Sequence, residues 1–388
     1  MAHLETPHSP CLSDGHRDSV PEFNECPYVI GNIIPLELKT SQHETTVHVH
    51  AEITHIFNDF TFSCTMLVQI NCPALGMDGN EEMVLKVCDR RFSDHTRYIE
   101  AAQEWSVALE KDFIQFASSE IGSRFVHALR QRTEYPPRSH RELWSTSHTE
   151  AFLEMCCIDL WNSEKKAYEV MKDLQGTDIP RFISDVLVPF DNLALPEAHL
   201  QGFPGVLLHY VPGYCMASIH CTAPKELQQP ICDQASRIIN RLDQLGVLNH
   251  DIQPGNFIVD IDVEEPLGFK VTMIDFGLCK FRDEYPNEET WNRAKRMNEE
   301  AMEMPLGRMM EKVLHCGIEW HSASSLEARQ PDTYYGDEDD EDDDDDEDAD
   351  DNEDDDDDED DDDDEDDDYY EEFDDPNDKD YVPPRRRR

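Results

Sequence analysis

Between residues 337 and 368 the chain carries 30 aspartates and glutamates, interrupted only by Ala349 and Asn352. A segment of one charge sign with almost no apolar surface cannot join a core, because unpaired buried carboxylates lose far more hydration than they regain. The expectation is a disordered, self-repelling tail over 321–388, ending in a basic block of four arginines at 385–388. The folded part must therefore lie upstream. Removing the 30 acids from the net charge of −54 leaves −24, so the upstream part is acidic as well. Such a body is a poor partner for nucleic-acid phosphates and for anionic membranes. The partner suited to the tract is a basic protein; a purely solubilising tail is the alternative.

No apolar run reaches 18 residues, so no membrane-spanning helix is expected. The start, MAHLETPHSP, has neither the basic nor the apolar region of a signal peptide. Twelve cysteines are scattered without CxxC spacing, which reads as reduced thiols. The cytoplasm, or cytoplasm plus nucleus, follows as the expected compartment.

Residues 1–45 mix Pro, Ser, His and acids and read as irregular. Three β-branched, partly alternating stretches follow: TVHVHAEITHIF from near 47 (its first residue is Thr46), FTFSCTMLVQI from 60 and EMVLKVC from 82. Their short connections predict an antiparallel meander. His48 and His50 alternate on one strand face and read as surface residues rather than metal ligands. Apolar residues at three- and four-residue steps predict a helix over 95–132, and a second over 150–174 ending at Gly176. Strands are expected at 181–190 and 204–211, a helix at 224–245 stopped by Gly246, strands at 257–260 and 270–274, and helix from 289 to about 314.

The chemistry concentrates in NHDIQPGNFIV and VTMIDFGLCK. A loop holds Asp251 with Asn256 five residues on; a strand follows; a second strand ends at Ile274, immediately before Asp275-Phe276-Gly277. Phosphoryl transfer needs a carboxylate to orient the attacking hydroxyl and oxygen ligands for Mg²⁺ on the phosphates. These residues supply both. Upstream, Lys86 stands among Val84, Leu85, Val87 and Cys88, where an amine needs a partner. Glu164 shares an apolar stripe with Leu160, Trp161, Tyr168 and Met171, whereas Glu169 falls with Lys165, Lys166 and Lys172 on the solvated face. Glu164 is therefore the preferred partner. GVLLHYVPGY reads as a core strand running into a Pro-Gly turn.

The Asp-x₄-Asn loop with Asp-Phe-Gly resembles the protein-kinase signature. The pieces VLKVCDRRF, EKKAYEVMKDLQGTDIPRF, GVLLHYVPGY, NHDIQPGNFIV, IDFGLCKF and ETWNRAKRMNEEAMEMPLGRMM resemble a fungal group of kinase-like proteins over residues 47–315. The resemblance implies ATP as the phosphoryl donor, Mg²⁺ on Asn256 and Asp275, Asp251 as the catalytic aspartate, Lys86 on the phosphates with Glu164 holding it, and an adenine contact at Leu208, His209 and Val211. It implies an α+β bilobal protein-kinase-like fold with a shortened, mainly helical C-lobe: an N-lobe over 46–211 with a helical insertion at 89–150, and a C-lobe over 212–320. The acceptor would be a hydroxyl, with protein Ser/Thr the first expectation.

The chain departs from that pattern. FNDFTFSC lacks the glycines that let backbone N–H groups close over phosphates. The usual His-Arg-Asp reads Asn249-His250-Asp251, and the lysine two residues after the aspartate is Gln253. No Ala-Pro-Glu follows. These departures keep two alternatives in view: a nucleotide-binding pseudokinase scaffold, and a small-molecule kinase of the aminoglycoside-phosphotransferase type.

Overall fold

A computed structural model describes residues 26–39, 46–57, 60–73, 76–131, 136–141, 143–189, 202–261 and 267–297. The acidic tract, the arginine block and the helix expected beyond 297 lie outside the described residues.

Six antiparallel strands close into a barrel. They are β1 (Ile33–Lys39), β2 (Thr46–Ile56), β3 (Cys64–Cys72), β4 (Met77–Val87), β5 (Phe182–Pro189) and β6 (Gly202–His209), in the order β1-β2-β3-β4-β6-β5. Closure comes from β1, which pairs with β2 along its length and with β5 through Glu37↔Leu187, Leu38↔Val186 and Lys39↔Asp185. This overturns the expected bilobal kinase fold: the sheet has no free edge and is a closed barrel, not an open N-lobe sheet. The overlooked element was β1, inside the segment read as irregular. Its burial alternates, with Ile34, Leu36 and Leu38 inward and Ile33 and Glu37 more exposed. That period of two is the mark of a half-buried strand, and Pro35, which cannot donate to a ladder, lies in the part of β1 that pairs with β2 alone, before the β5 pairing begins at Glu37. Val49, Ala51 and Ile53 of β2, Met66, Val68 and Ile70 of β3, and Leu85 of β4 complete the filling, as a six-stranded barrel requires.

Between β4 and β5 lie α1 (Asp94–Ile99), α2 (Val107–Ala117), α3 (Glu120–Arg130), α4 (Arg138–Arg141) and α5 (Thr146–Val170). The single helix expected over 95–132 is instead three. Ser106 accepts a hydrogen bond from the Leu109 N–H at 3.2 Å and Ser119 one from Gly122 at 3.0 Å, so each begins a new helix. Gly122 allows the close turn: a Cβ there would stand 2.0 Å from the Phe116 carbonyl oxygen.

A buried charge cluster fastens these helices together. Arg90 donates to Glu110 at 2.8 Å and to Glu150 at 2.7 Å, and Arg97 reaches Glu150 at 2.6 Å. Arg91 bonds Asp89 and lies 4.1 Å over the Phe203 ring of β6.

A second core follows, built from α5, α6 (Ile219–Thr222), α7 (Lys225–Gln244) and short strands. The strands are β7 (Tyr214–Cys215), β8 (Val247–Asn249), β9 (Phe257–Asp260), β10 (Lys270–Met273) and β11 (Cys279–Phe281). They pair as β7-β9-β10 and β8-β11. Ile231, Ala235, Ile238 and Leu242 form the inward stripe of α7. Residues 288–297 are helical. No helix among the described residues is long and apolar enough to cross a membrane. All cysteines among the described residues are free, and burial pushes the thiols of Cys64, Cys88 and Cys279 upward.

Candidate active site

Lys86 sits on β4 opposite Thr65 of β3 and Val206 of β6, so three strands fix its backbone. Its amine is almost fully buried and lies 2.6 Å from Glu164 Oε2 and 2.6 Å from Asp275 Oδ1. Burial works against the charged amine, but the carboxylates of Asp275 and Glu164 outweigh it and raise its pKa. Glu164 is 3% exposed on α5, and Glu169 is exposed. Burial raises the Glu164 carboxyl and Asp275 adds to the effect, against the pull of Lys86. Its second oxygen, Oε1, is buried with no hydrogen-bond partner.

Asp275 follows β10 in the left-handed region, with φ +66°. That conformation costs a non-glycine residue about 1–2 kcal/mol. The surroundings hold it there. Asn249 Nδ2 donates to the Asp275 carbonyl at 2.9 Å, and the Ile274 N–H donates to the Asn256 carbonyl at 2.8 Å. Phe276 is fully buried, edge-on to Tyr168 of α5 at 5.4 Å. Ser163 of α5 donates to the carbonyls of Phe276 and Cys279 at 3.3 and 2.8 Å. Helix α5 thus grips the Asp275 segment with the residue next to Glu164.

Asp251 lies on the loop between β8 and the short 3-10 turn Pro254–Asn256. Asn256 Nδ2 donates to Asp251 Oδ2 at 2.9 Å and to its carbonyl at 2.7 Å; Gln253 Nε2 donates to Oδ1 at 2.9 Å. Partial burial and the charge of Asp275 raise the Asp251 carboxyl, against these amides and Lys86.

Asn249, which stands where the usual pattern has histidine, has a role of its own. It is buried; its Oδ1 accepts from the Asp251 N–H at 2.9 Å while its Nδ2 holds Asp275. It therefore ties the two aspartates together. Residue type alone showed the departure, and only the fold shows the bridge. Also missed was the anchoring of residues 60–63 by the start of α1. Ser93 Oγ donates to the Phe62 carbonyl at 3.1 Å, and the rings of Phe62 and His95 meet at 4.8 Å. Burial lowers the His95 imidazole, against the attraction of Asp251.

Leu208 is buried in the second core, pairs with Val84 of β4, and neighbours the exposed His209; Val211 is half-buried. The His209 N–H is taken by the Arg181 carbonyl at 2.9 Å. Lys86, Glu164, Asp251, Asn256 and Asp275 are therefore linked through direct bonds and shared charges, while Leu208, His209 and Val211 line the adjoining strand end.

Among the described residues no group of three or more His, Cys, Asp or Glu is arranged to hold a metal ion. Asp275 and Asn256 each carry an oxygen donor and are joined through the backbone, where the Ile274 N–H donates to the Asn256 carbonyl at 2.8 Å; the Asn256 side-chain nitrogen faces Asp251, and Asp275 Oδ1 meets Lys86. One carboxylate and one amide oxygen fit Mg²⁺, which keeps waters and takes its remaining ligands from phosphates. No family model matches this sequence, and no curated protein matches it.

Proposed function

We propose that this protein is an ATP-dependent phosphotransferase that moves the γ-phosphoryl group to a hydroxyl acceptor, a protein Ser or Thr in the first instance. The observation that carries the reading is Lys86, a buried amine held at 2.6 Å by both Glu164 and Asp275, with Asp251 tied to Asp275 through Asn249. The proposal rests on this site and its motifs, not on the barrel that presents it.

In the proposed roles, Lys86 binds phosphate oxygens and Glu164 keeps it oriented. The strand end at Leu208, His209 and Val211 receives the adenine. Asp251 orients the acceptor hydroxyl and takes its proton, and its two amide partners fix the carboxylate plane. Asn256 and Asp275 would hold Mg²⁺, which supplies neutralisation of charge on the phosphates. The cytoplasm, or cytoplasm and nucleus, is the compartment we favour, with a basic protein as the partner of the acidic tract.

The absence of glycine from FNDFTFSC favours a second reading, a scaffold that binds nucleotide without transferring phosphate. Two measurements separate them. ATP with Mg²⁺ at 100 times Kd should add about 2.7 kcal/mol of apparent stability in a thermal-shift titration. An absent shift, or an equal one in Asp275→Ala, removes the metal-assisted nucleotide site. If nucleotide binds, radiolabel transfer that disappears in Asp251→Asn establishes the enzyme, and wild-type protein that binds but never transfers establishes the scaffold.

A further inference from the structure

Among the described residues, the cation bonded into the site is Lys86. Gln253 is exposed, whereas Asp251 two residues before it is half-buried. Its amide already donates to Asp251 Oδ1 at 2.9 Å, and Asn256 occupies Oδ2 at the same distance. Both oxygens of the base are thus oriented by neutral donors. The nearby cation, Lys86, is committed to Glu164 and Asp275 at 2.6 Å each. Among the described side chains, Asp251, Asp275 and Glu164 stand against Lys86, with Lys280 bearing on the neighbouring His250, before any nucleotide or metal binds. A pocket so charged repels an anion and tolerates or attracts a cation.

We propose that Gln253 positions Asp251 and sets acceptor choice: a neutral amide beside the base, in a site richer in carboxylates than in amines, takes hydroxyls flanked by neutral or cationic groups and rejects those flanked by anions. This rests on the phosphotransfer reading above. Gln253 acts through Asp251 in orienting the base, and through its own lack of charge in selecting the acceptor.

The test uses the full chain, Mg²⁺ and γ-labelled ATP, with two peptides of one serine each, flanked by arginines in one and by glutamates in the other. Wild type should label the arginine peptide about tenfold faster or more, the size of one like-charge contact in a partly screened site. Gln253→Lys should narrow that ratio by about tenfold while KM for ATP stays within about twofold. Gln253→Ala should lower kcat on both peptides and leave KM for ATP and the ratio in place. The acidic tract is common to all variants, so its attraction for arginine cancels in the comparison between variants. An unchanged ratio in Gln253→Lys, or a wild-type preference for the glutamate peptide, overturns the inference. Wild type that hydrolyses ATP but labels neither peptide also overturns it while leaving phosphoryl transfer standing. Wild type that shows no thermal shift with ATP and Mg²⁺ removes the phosphotransfer reading itself, and the inference goes with it.

Discussion

Replacing Glu164 by glutamine should separate the site's function from the fold's stability. Removing one partner of a buried ion pair ordinarily costs about 3–5 kcal/mol, because the other charge is left unpaired. Here that figure does not apply. Lys86 keeps Asp275 at 2.6 Å, so its amine is not orphaned. Glu164 itself is not a net stabiliser as an anion: burial raises its carboxyl above the ordinary 4.5, and an acid raised in the folded state weakens the fold once pH exceeds its unfolded value. Glutamine removes that desolvation penalty along with the attraction to Lys86, and the two changes oppose each other. The expected loss is about 1 kcal/mol or less, from a discounted pair against a relieved burial cost. Nucleotide chemistry should suffer far more, since Lys86 would close on Asp275 alone and draw it from the cation. A preorganised charge contact of this kind is worth about 10²-fold or more in rate. Urea unfolding without ligand and label transfer with ATP and Mg²⁺ measure the two quantities on one protein. A stability loss above about 3 kcal/mol would show that the Lys86–Glu164 pair serves the fold, and the reasoning would be refuted.

Glu150→Ala should cost about 3–5 kcal/mol in urea unfolding, because it strips a shared carboxylate from the buried guanidinium groups of Arg90 and Arg97; a loss under 1 kcal/mol would mean water replaces it. Gly205→Ala should be destabilising by about 1–3 kcal/mol and lower ATP affinity, since its Cβ would stand 2.4 Å from the Lys86 carbonyl oxygen on β4. A thermal scan and an ATP titration check both effects. Glu110 gives a pH dependence. Burial tends to raise its carboxyl, but the charge of Arg90 and bonds from Trp105 and Arg90 hold it below the ordinary 4.5. Its stabilising contribution is thus full above 4.5 and is lost as pH falls through the depressed folded value. The stability gap between wild type and Glu110→Gln should be constant near neutrality and close in acid; a gap that persists at low pH would contradict the pairing.

The site was more legible than the fold. Lys86 in an apolar strand and Glu164 in an apolar helix stripe each announced a missing partner, and the two are bonded to each other. Asp251, Asn256 and Asp275 were carried by spacing on a loop and a strand end, which are local features. The barrel was lost at β1, where seven residues alternate cleanly but sit between segments rich in proline and polar residues. Closure onto β5 is a contact across about 150 positions of sequence, and no local periodicity reports it. The three-helix break over 94–130 was readable in Ser106 and Ser119, both capping residues inside one apolar pattern. The charge cluster was not readable. Asp89, Arg90, Arg91 and Arg97 look like a solvated run until α2 and α5 bring Glu110 and Glu150 over them.

That cluster also gives the inserted helices a bearing on the site. Helix α5 holds Arg90 and Arg97 through Glu150 near its start and Lys86 through Glu164 fourteen residues later. At 1.5 Å per residue the two carboxylates are about 21 Å apart along one axis. The paired arginines hold the start of this helix, and bonds beside Glu164 hold the rest. Trp161 Nε1 adds a bond to the Gly205 carbonyl at 3.1 Å, and Ser163 bonds the backbone after Asp275. Through Glu150, Arg90 and Arg97 are thus bonded to the same helix that carries Glu164 to Lys86. On the phosphotransfer reading, a variant that loosens the arginine cluster should weaken ATP binding in a thermal-shift titration although the cluster lies outside the proposed nucleotide site.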